Sequence, residues 1–269
     1  MLKLKFLRSK YLYWRSKMAL FIGDAGDNTI NGTASNDLIQ GLGGNDWLIG
    51  GVGRDTVEGG EGNDTLDGGK NDDLLDGGEG NDFITGGADH DTLIGGAGND
   101  TLDGGAANDL IYGDAGDDSL IGGNGKDTLW GGTGSDTLDG GNGRDVLYAG
   151  SGGDLVLAGF DNDTINAGAG EDTITGGGGR DVFQFSSVST SSGAAADLIT
   201  DFTNGVDIIN LTSISIFNSF TTNGNTVAGE LRAFFDGVNT HVVSDQSAFA
   251  IELTGDLTAT LDNGDFIFA

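Results

Sequence analysis

The sequence predicts an all-β repeat protein, and three observations predict it. A nine-residue unit runs without insertion or deletion from Gly23 to Gln184, giving eighteen copies over 162 of the 269 residues. Self-similarity at a short fixed period is the signature of a repeat architecture. The sixth slot of the unit is aspartate in seventeen of the eighteen copies, Asn28 in the first copy being the exception. The eighth slot is apolar in all eighteen, from Ile30, Ile39 and Leu48 to Ile165, Ile174 and Phe183. A solvated acidic linker has no reason to keep either column in register.

Residues 59–67, GGEGNDTLD, show the unit whole. Adjacent glycines in slots one and two, with a third in slot four, supply the positive φ angles and close backbone approach of a tight turn. Aspartate in slot six adds a carboxylate, and the aliphatic residue in slot eight sits in a strand-like triplet.

This pattern resembles the repeats-in-toxin family, whose motif is Gly-Gly-X-Gly-X-Asp-X-aliphatic-X, over about three fifths of the chain. The resemblance implies that the first six residues of each unit form a calcium-binding turn and the last three a short strand. Two units then complete one coil of a parallel β-roll, a solenoid of two sheets. It also implies the metal ligands: Asp37, Asp46, Asp55, Asp64, Asp73, Asp82, Asp91, Asp100, Asp109, Asp118, Asp127, Asp136, Asp145, Asp154, Asp163, Asp172 and Asp181. Residue chemistry agrees, because calcium takes about six to eight hard oxygens from carboxylates and carbonyls. Aspartates stacked coil over coil repel one another unless a cation lies between them. Two columns of nine turns allow at most about sixteen shared ions of this kind.

Successive turns alternate between the two edges of such a roll, and the edges differ. On one, slot four is Gly26, Gly44, Gly62, Gly80, Gly98, Gly116, Gly134, Gly152 and Gly170. On the other it is Ser35, Gly53, Asn71, Asp89, Ala107, Gly125, Gly143, Asp161 and Gly179. Asn and Asp accept left-handed backbone, whereas Ser35 and Ala107 do so less well. The all-glycine edge is therefore expected to bind calcium more tightly. Asp24, Thr33, Leu42 and Asp114 in slot two, and Ala149, Ala158 and Ala167 in slot one, also depart from the motif and weaken the terminal sites.

Slots seven and nine should point outward, since strand side chains alternate. On one sheet slot nine reads Ile94, Tyr112, Trp130, Tyr148, each eighteen residues after the last. This predicts an aromatic ladder, which either stabilises neighbouring strands or offers Tyr112, Trp130 and Tyr148 to a ligand such as a polysaccharide chain.

Charge narrows the partners. A formal net charge of -30, from 42 acidic against 12 basic side chains, excludes nucleic acid and anionic membranes as partners of the repeats and favours cations. Without cysteine, neither disulfides nor a zinc-thiolate site can hold the chain together.

The flanks differ in composition. Residues 1–22 carry half of the basic residues, Lys3, Lys5, Arg8, Lys10, Arg15 and Lys17, and the uncharged run Tyr11–Trp14 is too short for a secretory leader core. Leu4, Leu7, Tyr11, Trp14 and Met18 recur at helical spacing, so a basic amphipathic helix and an early-assigned start before Met18 are both readings of this segment. After Gln184, residues 185–269 lose the glycine period. DLITDFTNGVDIINL and LRAFFDGVNTHVV each read as two strand runs around a turn, at Asn204-Gly205 and Asp236-Gly237. With AIELTG and the closing DNGDFIFA, this region resembles the C-terminal part of serralysin-type secreted proteins. That resemblance implies a cap on the roll and an uncleaved type I secretion signal at Asp265, Phe266, Ile267 and Phe268, hence a type I exporter as partner and an extracellular location.

Catalysis finds little support. His90 and His241 are the two histidines, and neither H-E-x-x-H nor G-x-S-x-G occurs. His90 falls in a variable slot and reads as an exposed turn residue. The expected function is a secreted calcium-binding β-roll that folds on calcium outside the cell and acts as a structural or interaction module, not an enzyme. The alternative is a polysaccharide-binding accessory module of an extracellular polysaccharide-modifying enzyme such as an alginate epimerase.

Overall fold

The computed structural model describes residues 18–185, 196–203, 205–211, 219–221, 230–235, 238–244, 250–255, 257, 260–261 and 265–267. Each repeat contributes one strand, and consecutive strands fall in opposite sheets. Thr56–Glu61 lies in one sheet and Thr65–Lys70 in the other. Neighbours within a sheet pair in parallel, eighteen residues apart, as Leu102 does with Leu120 and Ile111 with Leu129. Among the described residues the sheets hold 12 and 14 strands. All described elements are β-strands, and no described helix is long and apolar enough to cross a membrane.

The strands run longer than the three residues of the motif. Most span six, Thr101–Ala106 for instance, taking in slots seven to nine of one repeat and one to three of the next. The glycine pair is therefore ladder, and the turn is confined to slots four to six. Burial alternates along each strand, so Leu102 and Gly104 face inward while Thr101 and Asp103 face out. The slot-eight residues from Ile39 to Leu147 are fully buried and form the core, two aliphatic files facing one another.

At the start, Ala19–Ile22 pairs with the strand beginning at Asp37, so the ladder opens four residues before the first nonapeptide. The amphipathic helix expected from Leu4 to Met18 lies, but for Met18, outside the described residues. At the other end the run around Asn204-Gly205 is not a hairpin. Asp197–Ile199 joins one sheet, beside Thr173–Thr175, and Ile208–Asn210 joins the other, beside Val182–Gln184. The two runs repeat the Asp-x-aliphatic spacing of slots six to eight, and burying Ile199 and Ile209 over the exposed end of the core outweighs local pairing. Farther on, Glu230–Phe235 and Asn239–Ser244 do pair antiparallel, and Asn239–Ser244 also pairs antiparallel with Ala250–Thr254. The turn at Asp236-Gly237 itself lies outside the described residues, as does Phe268. Phe266–Ile267 adds a last parallel strand beside Ile208–Asn210.

Candidate metal centre

From the third repeat on, each turn is set by left-handed backbone at two places, slot two in the ladder just ahead of it and slot four at its start. Gly69 has φ +101° and Gly62 +125°, and a Cβ on Gly62 would stand 1.9 Å from the carbonyl oxygen of Gly44 one coil back. Four non-glycine residues on the mixed edge take the same geometry in slot four: Asn71, Asp89, Ala107 and Asp161, at 73°, 77°, 86° and 76°. On the all-glycine edge the slot-five amides form a ladder, with the Asn63 N–H donating to Asn45 Oδ1 and the Asn81 N–H to Asn63 Oδ1.

All seventeen slot-six aspartates are buried, at 0 to 4 % exposure, inside the turns. They form two columns, one along each edge. One carboxylate oxygen is used structurally: from Asp55 on, Oδ1 accepts the backbone N–H of the aspartate one coil earlier, as Asp100 does from Asp82 and Asp109 from Asp91, both at 2.8 Å, while Asp37 and Asp46 accept from the Ala19 and Asn28 N–H groups. The other oxygen is not. Oδ2 of fifteen aspartates, from Asp46 to Asp172, is buried without a hydrogen-bond partner. A buried acceptor without a donor costs about 1–3 kcal/mol, and more when it carries charge.

The electrostatics follow. Burial raises the carboxyls of Asp73, Asp82, Asp91, Asp109 and Asp118 to about 7, with neighbouring column aspartates adding to the rise. Asp163 is pushed up to about 8 for the same reasons. The hydrogen bond from the preceding aspartate's N–H opposes the rise without cancelling it.

These oxygens fit a hard cation. The position a Cβ would take on Gly104, in slot one, is 2.7 Å from Asp109 Oδ2 and 2.9 Å from the carbonyl oxygen of Gly122 in the next coil. Carboxylate and carbonyl oxygens from adjacent coils thus converge beside the glycine, and this is the donor set calcium prefers. Among the described residues no three His, Cys, Asp or Glu side chains form a cage of their own, so backbone carbonyls would complete the coordination.

The structure adds two aspartates that the repeat register does not contain. Asp197 Oδ1 accepts the Asp172 N–H at 3.2 Å, and Asp207 Oδ1 accepts the Asp181 N–H at 3.0 Å, so both columns continue one position past the last nonapeptide. The signal available in sequence is the echo of slots six to eight in Asp197-Leu-Ile and Asp207-Ile-Ile. Asp201 does different work, its carboxylate accepting the Gly176 and Gly177 N–H groups.

On one outer face Tyr112, Trp130 and Tyr148 stack as the spacing predicts. Tyr112 and Trp130 are 4.7 Å apart and 8° from parallel, and Trp130 and Tyr148 are 5.4 Å and 11°. Each ring covers a face of its neighbour, and all three residues are half-buried. His90 is exposed, and its Nδ1 accepts the Asn108 N–H at 3.0 Å.

The family model of the RTX calcium-binding nonapeptide repeat matches residues 22–57, 49–84, 58–93, 85–120, 121–156 and 148–183. No curated protein matches the chain. Two solution structures from the Azotobacter vinelandii mannuronan C5-epimerase are similar to parts of it. The AlgE6R3 subunit is 26% identical over 64% of this chain and 79% of its own, with a TM-score of 0.34. The AlgE6R2 subunit is 29% identical over 61% and 92%, with a TM-score of 0.33.

Proposed function

The chain belongs to the RTX calcium-binding nonapeptide repeat family, and on that premise we propose that it is a secreted module whose β-roll folds around many calcium ions outside the cell. The observation that carries this reading is the file of fifteen buried, partnerless Oδ2 atoms. Calcium, when bound, supplies positive charge between successive turns. The chain's own part is to hold one carboxylate per turn in place through its Oδ1 bond, and to keep water out with the aliphatic files. Binding free energy is then folding free energy, as in other metal-dependent folds. Such a chain threads an export channel unfolded at low cytosolic calcium and folds on arrival, which suits a type I exporter reading the Asp265–Phe268 end. Outside, its role is structural or interactive rather than catalytic.

Calorimetric titration of the purified full chain tests this. Several calcium ions per chain are expected to bind cooperatively in the millimolar range or below, with magnesium a poor substitute because it demands tighter octahedral coordination. Equal response to both ions, or none to calcium, removes the proposal.

The second reading is a polysaccharide-binding accessory module, and what favours it is the row of stacked, half-buried rings of Tyr112, Trp130 and Tyr148 on one outer face. The stacked pairs contribute roughly 0.2–1 kcal/mol each as cross-strand contacts. Trp130→Ala with Tyr148→Ala removes both stacks, so at saturating calcium a loss of about 1 kcal/mol in stability is expected whichever reading holds. Loss of retention on an extracellular polysaccharide matrix, with the fold intact, selects the accessory module. Unchanged retention leaves the ladder structural.

A further inference from the structure

Between Gly23 and Gln184, all of it described, sixteen of the eighteen slot-two residues have positive φ, Leu42 at 81° and Asp114 at 70° among them. The other two, Asp24 and Thr33, stand in the first two repeats. The same two repeats lack positive φ in slot four, at Gly26 and Ser35. Their peptides point elsewhere, and the consequence is visible at slot six. The Asp24 N–H donates to Asn28 Oδ1 at 2.7 Å. The Thr33 N–H donates to Asp37 Oδ2 at 2.6 Å, and the Thr33 hydroxyl adds a second bond to that oxygen at 2.9 Å. In fifteen of the sixteen left-handed repeats the corresponding Oδ2 has no donor.

The far end of the mixed-edge column repeats the slot-two part of the arrangement, while Gly205, in the place of slot four, has φ +73°. Thr203 precedes Asp207 by four residues, as Thr33 precedes Asp37, and it too lacks positive φ. Its N–H donates to Asp207 Oδ2 at 2.7 Å. The sequences are alike, TASNDLI at 33–39 and TNGVDII at 203–209.

We propose that the orientation of the slot-two peptide separates ion-binding turns from self-closed turns, and that Asp37 and Asp207 end the mixed-edge calcium column without binding an ion through Oδ2. This rests on the calcium-binding reading of the column. An oxygen that already accepts one or two N–H or O–H donors has its charge partly compensated, and the N–H that approaches it occupies the side a cation would take. The placement has a physical logic. An ion shared between successive turns needs a column aspartate on each side, and among the described residues Asp37 and Asp207 have one only on their inner side. Closing these turns on their own backbone ends the aspartate column without a half-coordinated ion, which is the task of a capping repeat. Ion binding on this edge then extends from Asp55 to Asp181. Asn28 shows that the self-closed position works without a carboxylate, since its amide oxygen takes the same donor.

The experiment counts calcium per full-length chain by native mass spectrometry at saturating calcium. Asp37→Asn and Asp207→Asn keep an acceptor for the Thr33 and Thr203 N–H groups and leave the count unchanged, whereas Asp55→Asn lowers it by at least one. Loss of an ion in Asp37→Asn or Asp207→Asn overturns the proposal, and this arm does not depend on Asp55→Asn folding. A second readout is amide hydrogen exchange at saturating calcium. The Thr33 amide stays protected in Asp37→Asn and loses protection in Asp37→Ala. Protection that survives Asp37→Ala also overturns the proposal. A wild-type chain with no bound calcium defeats the calcium reading itself, an outcome distinct from a wild-type chain that binds ions and loses one on Asp37→Asn.

Discussion

In chelator at pH 7.5 the purified chain is expected to give the far-ultraviolet circular dichroism of an unfolded polypeptide, and millimolar calcium to convert it to a β spectrum. The reason is the composition of the interior. From the second nonapeptide on, each repeat buries one apolar side chain in slot eight, and with it one carboxylate whose Oδ2 has no donor over most of the roll. Without a cation, two files of buried negative charge oppose a core one residue wide. Proton linkage gives the same prediction a second arm. Mainly through burial, Asp154 is raised from 3.8 to about 6 and Asp163 to about 8, and Asp100 and Asp127 are raised in the same direction. A group whose folded pKa exceeds its unfolded value contributes stability below the unfolded pKa and loses it as pH rises through the folded one. The calcium-free roll is therefore least stable above pH 8 and gains stability on acidification. In chelator at pH 5, short of the sequence pI near 4.1, part of the β signal returns. A spectrum indifferent to chelator, or a calcium-free chain that gains structure as pH rises, contradicts this account.

Asp100→Ala raises the calcium midpoint of folding on the order of tenfold or more, and more than Asp109→Ala does. Each substitution strands a backbone donor, the Asp82 N–H in the first case and the Asp91 N–H in the second, at roughly 1–3 kcal/mol. A factor of ten corresponds to about 1.4 kcal/mol. Each also removes one ligand. The two positions are one repeat apart in mid-roll, so end effects are alike. They differ in the turn ahead of them: Gly98 precedes Asp100, while Ala107 precedes Asp109 and holds φ 86°. Left-handed backbone costs a non-glycine residue about 1–2 kcal/mol, so the mixed-edge site starts weaker and has less to lose. Ala107→Gly relieves that strain and lowers the wild-type midpoint, and in its background the two alanine variants converge. Calcium titrations followed by circular dichroism measure all of this, and equal midpoints for the two single variants count against the edge asymmetry.

The repeat register, both columns and the stacked ring ladder were legible in the sequence because they are local and periodic. A side chain's face is set by its slot, and an eighteen-residue coil brings equal slots together whatever else the chain does. Hence the buried file from Ile39 to Leu147 and the pairing of Tyr112 with Trp130 followed from counting. The continuation of the columns into Asp197 and Asp207 did not, because the spacing breaks there: 25 and 26 residues separate these from Asp172 and Asp181. The motif also placed the glycine pair in the turn, whereas contact with the next coil draws it into the ladder.

What the sequence by itself determined is which residues share an edge and a face, and that one carboxylate per turn is carried inward. What only the tertiary structure decided is the direction of each peptide in the turn, and so which carboxylate oxygens have a donor. Residue type does not settle that direction. Gly26 is free to adopt left-handed backbone and does not, while Leu42 and Asp114 are poorly suited to it and do. In an inner coil the neighbouring turns lie within van der Waals reach on both sides and impose the left-handed peptide. Among the described residues no turn lies behind the first coil, and its slot-two N–H groups turn onto Asn28 and Asp37.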